Sequence, residues 1–306
     1  MDFGKLPAVD KVDFRLPPDP PANAARLAQA AALERPRSID IGTAGWGDKR
    51  FVGKLYPEDA RAKDFLAHYS RAFPTNELNS TYYGVDPARI AVWTETVPDG
   101  FRFCPKLPST VTHEKELEHV DADMESFLKA LETFGDHLGC VWSVLPPAFG
   151  PSRAHVLGRF VESWARRVPL ALELRHPSWF TSPAALDEVF ALFEAHGVVA
   201  VLNDVAGRRD VLHMRLTAPD TMVRFVGNAL HPTDFTRLDT WIERLGSWFD
   251  AGLRHTWFFL HQPDDHHTVE LYDYLAPRLE ARTGLDLGAW RRNAPALPGE
   301  RQLGLF

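Results

Sequence analysis

Short apolar runs alternate with longer amphipathic stretches over most of this chain. The runs are rich in β-branched and aromatic residues, which is typical of strands that are buried on both faces. They cover residues 39–43, 75–79, 102–106, 138–145, 170–174, 198–202, 211–216 and 256–260. Between them, apolar residues recur at spacings of three and four, as in Phe65, Leu66, Tyr69 and Phe73, which predicts helices. The predicted helices cover residues 62–73, 89–96, 124–134, 153–167, 184–196, 234–249 and 268–282.

Eight strands that alternate with helices predict an α/β fold, a (β/α)8 TIM-like barrel over residues 38–282. An open doubly wound sheet is the alternative, but no glycine-rich phosphate-binding fingerprint follows the first strand. Residues 1–37 form a predicted N-terminal extension, in which a proline-rich stretch precedes a short alanine-rich helix at 22–33. Residues 283–306 are the predicted C-terminal linker and docking peptide, rich in proline, alanine and glycine over 293–301.

The composition is that of a globular protein, with 45% hydrophobic and 25% charged residues. The net charge of -7 argues against a broad basic surface for DNA, although a local basic pocket is compatible with it. Cys104 and Cys140 lie in apolar runs without metal-ligand spacing, so we expect buried, reduced thiols. No apolar stretch approaches about 18 residues and no signal-peptide pattern opens the chain, so we expect a cytoplasmic protein without a membrane partner.

Polar side chains follow the predicted strands at their carboxyl ends, where the functional face of such a barrel lies. Because side chains alternate along a strand, Glu77 and Asn79 point to one side of the sheet, and so do Glu173 and Arg175. The candidate catalytic residues are Glu77, Lys106, Glu173 and Asp204. The candidate substrate-binding residues are Trp46, Asn79, Tyr82, His113, Arg175, His176, Trp179, Arg215 and His261.

Three cations from different predicted strands, Lys106, Arg175 and Arg215, are suited to phosphate or carboxylate. The carboxylates could neutralise these cations, act as acid or base, or hold a divalent metal, for which no ligand set is assigned. The structural alternative for any one of these residues is a satisfied ion pair inside the barrel. The aromatic residues Trp46, Tyr82 and Trp179 could stack on a base or sugar, or pack at the rim.

Several motifs lie in the same order along the predicted barrel. They are Ile41-Gly42-Thr43-Ala44-Gly45-Trp46, Glu77-Leu78-Asn79-Ser80-Thr81-Tyr82-Tyr83, Lys106-x-Pro108, Thr112-His113 and Glu173-x-Arg175-His176-x-Ser178-Trp179, with Asp204 and Arg215 beyond them. Together they resemble the YecE-like family, domain of unknown function 72. The resemblance implies a TIM barrel but no particular reaction. One departure is that Thr217-Ala218 follow Arg215-Leu216, where the family usually has His-Gly.

The last five residues are Gln302, Leu303, Gly304, Leu305 and Phe306. They resemble the clamp-binding motif of bacterial replication and repair proteins, in which Leu and Phe insert into a pocket of the sliding clamp. Gln302, Leu303, Leu305 and Phe306 are therefore the candidate partner-binding residues, on a proline-containing linker. The alternative is that these apolar side chains cover the protein's own core.

Three functions remain open from the sequence. The first is an enzyme that acts on a phosphate-containing or nucleic-acid-derived substrate in DNA replication or repair. Its most specific form is metal-assisted phosphodiester hydrolysis. The second is a small-molecule isomerase, aldolase or hydrolase, in which Lys106 could form a Schiff base if burial lowers its pKa. The third is a non-catalytic adaptor that binds the sliding clamp and an anionic ligand.

Overall fold

Eight parallel strands form the central sheet of the protein. A computed structural model describes residues 4–287. Its strands are β1 (Ser38–Thr43), β2 (Thr75–Leu78), β3 (Arg102–Pro105), β4 (Val141–Val144), β5 (Leu170–Glu173), β6 (Val199–Asp204), β7 (Asp220–Val226) and β8 (His255–His261). They pair in the order β3-β2-β1-β8-β7-β6-β5-β4. Isolated bridges between Phe103 and Leu138 and between Lys106 and Trp142 join the two edge strands, so the sheet is a nearly closed barrel.

Helices follow most of the strands and cover the outside of the barrel. Within residues 4–287 they are α1 (Ala22–Ala31), α2 (Phe65–Ala72), α3 (Pro87–Thr96), α4 (Asp121–Leu131), α5 (Ala154–Trp164), α6 (Pro177–Thr181), α7 (Pro183–His196), α8 (Pro232–Ala251) and α9 (Thr268–Thr283). Proline opens four of them, α3, α6, α7 and α8, where its fixed φ suits the first turn and its missing N–H is not needed. The residue before each proline is Asp86, His176, Ser182 or His231, and its side chain accepts a hydrogen bond from a backbone N–H in the first turn of the helix. The predicted α/β barrel is confirmed, and no helix in this part of the chain is long and apolar enough to cross a membrane.

The predicted seventh strand at 211–216 is wrong, because β7 begins nine residues later at Asp220. Residues 212–218 instead cross back along the outside of β6 without forming a helix. The side chain of Thr217 holds this crossing to the start of β6, donating to the carbonyl of Val198 and accepting from the N–H of Ala200. A β-rich sequence is thus used as an extended crossover, and tertiary contacts outweigh its local strand propensity.

Helix α1 of the N-terminal extension covers this crossover. Its buried Asn23 donates to the carbonyl of Met214 at 2.7 Å and accepts from the N–H of Leu216 at 2.9 Å. Arg26 of the same helix forms an ion pair with Glu194 of α7. Helix α1 also packs on α8, so the extension supplies the outer layer that the β6–β7 connection itself lacks.

The barrel interior is layered by the two-residue alternation of the strands. An apolar layer in its lower part includes Cys104, Cys140, Trp142, Met222 and Phe259, all of them fully buried. Both thiols are free and buried, as the sequence predicted. Above this layer, toward the carboxyl ends of the strands, the inward-facing residues become charged.

Candidate active site at the barrel mouth

A buried ion cluster joins three strands just above the apolar layer. Arg224 on β7 donates to both oxygens of Glu77 on β2, with Nε–Oε2 and Nη2–Oε1 distances of 2.8 and 3.1 Å. Its third nitrogen, Nη1, reaches Oε2 of Glu173 on β5 at 2.8 Å. All three side chains point inward because they occupy alternate positions along their strands. Arg224 therefore bridges two carboxylates across the barrel, over the ring of Trp142 at 4.7 Å.

Further donors occupy the remaining acceptor positions of the two carboxylates. Glu77 also bonds Asn79 Nδ2 and His261 Nε2, each at 3.0 Å. Glu173 accepts from Arg175 Nε at 2.6 Å and from Asn203 Nδ2 at 2.7 Å.

These donors decide the charge of both carboxyl groups. Burial by itself would raise the pKa of each, but Arg224 and His261 hold the pKa of Glu77 well below its ordinary value. Arg175 and Arg224 lower the pKa of Glu173 in the same way. Both groups are therefore ionised at neutral pH, and three cations, Arg175, Arg224 and Lys106, face two carboxylates.

Lys106 is the cation of this cluster without a carboxylate partner in the described chain. It follows β3 directly, and its Nζ lies 4.4 Å from the ring centre of Tyr82 and 5.0 Å from that of Trp142. Burial, reinforced by the charge of Arg224, lowers the pKa of Lys106 to about 8. Roughly a tenth of its amines are then neutral at pH 7, far more than for an ordinary lysine.

Aromatic and imidazole rings border Lys106 on the side of the β2 and β3 loops. The rings of Tyr82 and His113 meet edge to face at 5.3 Å, and Tyr83 packs in the same manner on Tyr82. Burial, together with the charges of Lys106 and Arg175, lowers the pKa of His113, which keeps this imidazole neutral at pH 7. Tyr83 is 86% exposed, which is unusual for a large aromatic side chain in a folded protein.

A cavity of about 790 Å³ opens above the ion cluster. Its floor and walls include Lys106, Arg175, Asn203, Arg224 and His261, from five strands or strand ends. The N-terminal residues 4–10 and the loop that follows β7 complete the wall. The volume is in the range of small-molecule sites, so the cavity can take a compact ligand over a positively charged floor.

Three predicted site residues lie elsewhere in the fold. Trp46 packs among Tyr69, Trp93 and Phe103 in the aromatic layer outside the barrel. The Nδ1 atom of His176 caps α6 by accepting the N–H of Ser178, which serves helix formation. Trp179 is buried and donates its indole N–H to the carbonyl of Phe149.

Two predicted charged residues also lie outside the cavity. Asp204 is fully buried behind β6, where it pairs with Arg209 and Arg237 and accepts from Trp241 Nε1 at 2.8 Å. It points outward because Asn203, one residue earlier, takes the inward position. Arg215 lies on the crossover at the outside of the barrel and pairs with Glu194 of α7 at 2.5 Å.

The arginine that does occupy the mouth, Arg224, is absent from the sequence-based set. The run at 221–226 has strand-like composition and is bounded by Pro219-Asp220 and Gly227-Asn228, so a strand signal was present. If Arg215 is the arginine of the family's motif, Thr217-Ala218 stand where His-Gly is usual. After Arg224 the sequence is Phe225-Val226-Gly227, which keeps the glycine. Asn203, which lines the cavity, is also absent from the predicted set, which contains Asp204 instead.

The donor set does not fit the divalent metal that the sequence left open. Both carboxylates of the mouth are engaged by arginine side chains, and bonds from His261, Asn79 and Asn203 occupy further lone pairs. Within residues 4–287, no group of three His, Cys, Asp or Glu side chains is placed to hold a metal ion.

A parallel eight-stranded barrel with an ion-lined cavity at the carboxyl ends of its strands defines a TIM-like barrel protein. More closely, the chain belongs to the family described as "Protein of unknown function DUF72", whose model matches residues 40–296. The sequence is 28% identical to UPF0759 protein YecE of Escherichia coli K12 over 257 residues, which are 78% of this chain and 92% of YecE. It is 29% identical to UPF0759 protein YunF of Bacillus subtilis over 201 residues, 62% of this chain and 70% of YunF.

Solved structures of DUF72 family proteins share the fold. A protein from Thermotoga maritima superimposes with a TM-score of 0.64 at 24% identity, covering 78% of this chain and 98% of its own. A protein from Enterococcus faecalis gives a TM-score of 0.59 at 18% identity, covering 81% and 98%. The predicted docking peptide, Gln302 to Phe306, lies outside the described residues.

Proposed function

We propose that the barrel mouth binds a small organic anion, a carboxylate or phosphate ester that also carries an aldehyde or ketone, and that Lys106 is the group that reacts with this carbonyl. The observation that carries the proposal is the state of Lys106, an amine with no carboxylate partner in the described chain and a pKa of about 8. An amine of this kind is suited to attack a carbonyl carbon. The nitrogen then forms an imine, and the carbonyl oxygen leaves as water.

The surrounding charges support an anionic substrate. Two carboxylates and three cations leave one positive charge in excess at the mouth, which favours one negative group of a ligand. Arg175 lines the cavity and is 9% exposed, so its guanidinium is placed to contact such a group. Glu77 and Glu173 hold the guanidinium groups of Arg224 and Arg175 in position.

Reductive trapping tests the reaction. The protein is treated with glyoxylate, a compact anionic aldehyde, and cyanoborohydride at pH 7, and the adducts are mapped by mass spectrometry. We expect Lys106 to react preferentially, since at pH 7 a lysine with a pKa near 8 has roughly two hundredfold more neutral amine than an ordinary one. Lys106→Arg removes this adduct, whereas Lys115→Arg, a lysine paired with Asp123 at 2.6 Å, does not. Uniform labelling of surface lysines without preference for Lys106 refutes the proposal.

A mononucleotide is a second candidate ligand, favoured by the exposed ring of Tyr83, which packs on the Tyr82 ring that contacts Lys106. A base stacked on an aromatic side chain contributes about 1–3 kcal/mol. Adenosine 5′-monophosphate should then bind more tightly than ribose 5-phosphate in calorimetry, and Tyr83→Ala should remove the difference. Equal affinities would exclude base stacking.

We also propose that Gln302, Leu303, Leu305 and Phe306 recruit the protein to the sliding clamp, and thus to cytoplasmic DNA replication or repair. The support is the sequence motif itself. A peptide of residues 293–306 should bind purified clamp with micromolar affinity, about -8 kcal/mol. Replacing Leu305 and Phe306 by Ala should abolish binding, whereas Arg301→Ala should not. A peptide without measurable affinity would contradict recruitment.

A further inference from the structure

The first described residues of the chain form one side of the active-site cavity. Residues 4–10, here called the strap, all line the cavity that also contains Lys106, Arg224 and His261. Most of the strap is exposed to solvent, but Val9 is buried. Because the family match begins at residue 40, this wall is an addition to the part of the barrel that the family shares.

The strap is held at both ends. At one end, the carbonyl of Gly4 accepts the N–H of Gly207 at 2.8 Å. Gly4 has a φ of +77°, and an added Cβ would meet the methyl groups of Val205 at 2.8 and 2.9 Å, so glycine is required for this close approach. At the other end, the carboxylate of Asp10 lies 3.4 Å from Nε2 of His231.

The residues after the strap are anchored by the cluster around Asp204. Arg209 donates to the carbonyls of Phe14 and Arg15 at 3.1 and 3.2 Å, and the guanidinium of Arg237 lies 4.7 Å above the ring of Phe14. Both arginines pair with Asp204. A fully buried carboxylate outside the cavity thus orders the arginines that hold the N-terminal extension along the barrel.

We propose that the strap is a specificity element, which admits compact anions to Lys106 and excludes polymeric nucleic acid. It rests on the proposed function, because it names the size class of that function's substrate. A cavity of about 790 Å³ walled by the strap holds a sugar phosphate or a single nucleotide. A polynucleotide would have to cross the mouth where residues 5–8 lie. Lys5 and Asp10 of the strap both line the cavity and offset each other in charge, so the attraction for a small anion comes from Lys106, Arg175 and Arg224.

Thiol accessibility tests the strap independently of Lys106 chemistry. Cys104 and Cys140 are buried, so Val226→Cys places a single reactive thiol in the cavity wall. Its alkylation rates are measured with iodoacetamide, a small reagent, and with fluorescein-5-maleimide, a bulky one. Their ratio reports how the cavity discriminates by size.

Gly207→Ala loosens the strap within the full-length chain. The added Cβ would lie 2.8 Å from the carbonyl oxygen of Gly4, and the terminal segment can yield more readily than the helical turn that contains Gly207. Gly158→Ala is the matched control, because nothing lies within 4 Å of its added Cβ. Deletion of residues 1–10 is the more severe variant of the same test.

The relative rate of the bulky reagent should rise about tenfold in Gly207→Ala, corresponding to about 1.4 kcal/mol of lost strap contact, and should rise in the deletion as well. In the control variant Gly158→Ala, the relative rate of the bulky reagent should be unchanged. A ratio that stays the same when the strap is loosened overturns the inference.

Glyoxylate trapping on the same variants separates the two proposals. A strap-dependent ratio without a Lys106 adduct refutes only the proposed reaction. An adduct with a strap-independent ratio refutes only the specificity element.

Discussion

Removal of Arg224 should destabilise the protein strongly and in a pH-dependent way. Arg224→Met deletes three charge-assisted hydrogen bonds to Glu77 and Glu173, at 2.8, 3.1 and 2.8 Å, from a side chain that is 11% exposed. Loss of one partner of a buried ion pair costs about 3–5 kcal/mol, because the remaining charge stays buried. We expect this range rather than the sum of three bonds, since Asn79, His261, Arg175 and Asn203 still contact the two carboxylates.

The pH dependence follows from the pKa values of the carboxylates. In the natural chain the pKa of Glu77 and Glu173 is lowered despite burial, so their stabilisation is present above the unfolded pKa of about 4.3 and is lost as the pH falls through the folded value. Without Arg224, Glu77 has no arginine partner among the described residues and burial should raise its folded pKa above the unfolded one, whereas Arg175 still lowers the pKa of Glu173. The variant is then penalised most at pH 8, and part of the penalty is relieved near pH 5, where Glu77 can take up a proton.

Urea denaturation at pH 8 and pH 5 measures both effects. Arg215→Met is the matched control, because Arg215 pairs with a single carboxylate outside the barrel, and that carboxylate, Glu194, keeps its ion pair with Arg26. The double variant Arg224→Met with Glu77→Gln should recover part of the lost free energy of unfolding, since one uncompensated charge is removed. The reasoning is refuted if Arg224→Met costs no more than Arg215→Met at pH 8, or if its cost does not shrink at pH 5.

Three further substitutions test the assignment of structural roles. Asp204→Asn should lower the free energy of unfolding by about 3–5 kcal/mol, because Arg209 and Arg237 lose the carboxylate of Asp204. Glyoxylate trapping at Lys106 should stay unchanged, and its loss at full stability would indicate a catalytic role. Asn23→Ala should lower the free energy of unfolding by about 1–3 kcal/mol, since two backbone groups of the crossover lose their partner, and an unchanged urea midpoint would contradict the docking of α1. Gly42→Ala should cost about 1–3 kcal/mol or more because its Cβ would lie 2.5 Å from the backbone oxygen of Thr75, whereas Gly158→Ala should stabilise helix α5 slightly; equal thermal midpoints for the two variants would show that the strand pair can move apart.

The periodicity of the chain was sufficient to predict the barrel and most of its elements. Seven of the eight strands and the helices that follow them lie close to their predicted positions, because strands buried on both faces and amphipathic helices have distinct local patterns. The alternation within a strand also predicted that Glu77 and Asn79 share one side of the sheet, as do Glu173 and Arg175, and in the structure Arg224 joins the two pairs.

The seventh strand required tertiary information. Residues 211–216 and 221–226 both have strand-like composition, and local propensity does not choose between them. The choice is made by α1, whose Asn23 satisfies the backbone of the first segment outside the barrel, and by the ion cluster, which accepts Arg224 from the second. Because the seventh strand was predicted at 211–216, the predicted site contained Arg215 and not Arg224.

The amino-acid sequence by itself determined the architecture, the inward direction of the main charged residues and the presence of a lysine among them. Only the tertiary structure decided which charges neutralise one another, and therefore that Lys106 has no carboxylate partner in the described chain while Glu77 and Glu173 pair with arginine. The same holds for the N-terminal strap, whose residues carry no local signal of a binding site. The physical reason is that the pKa of a side chain and the shape of a cavity depend on groups distant in sequence, which meet only when the barrel closes.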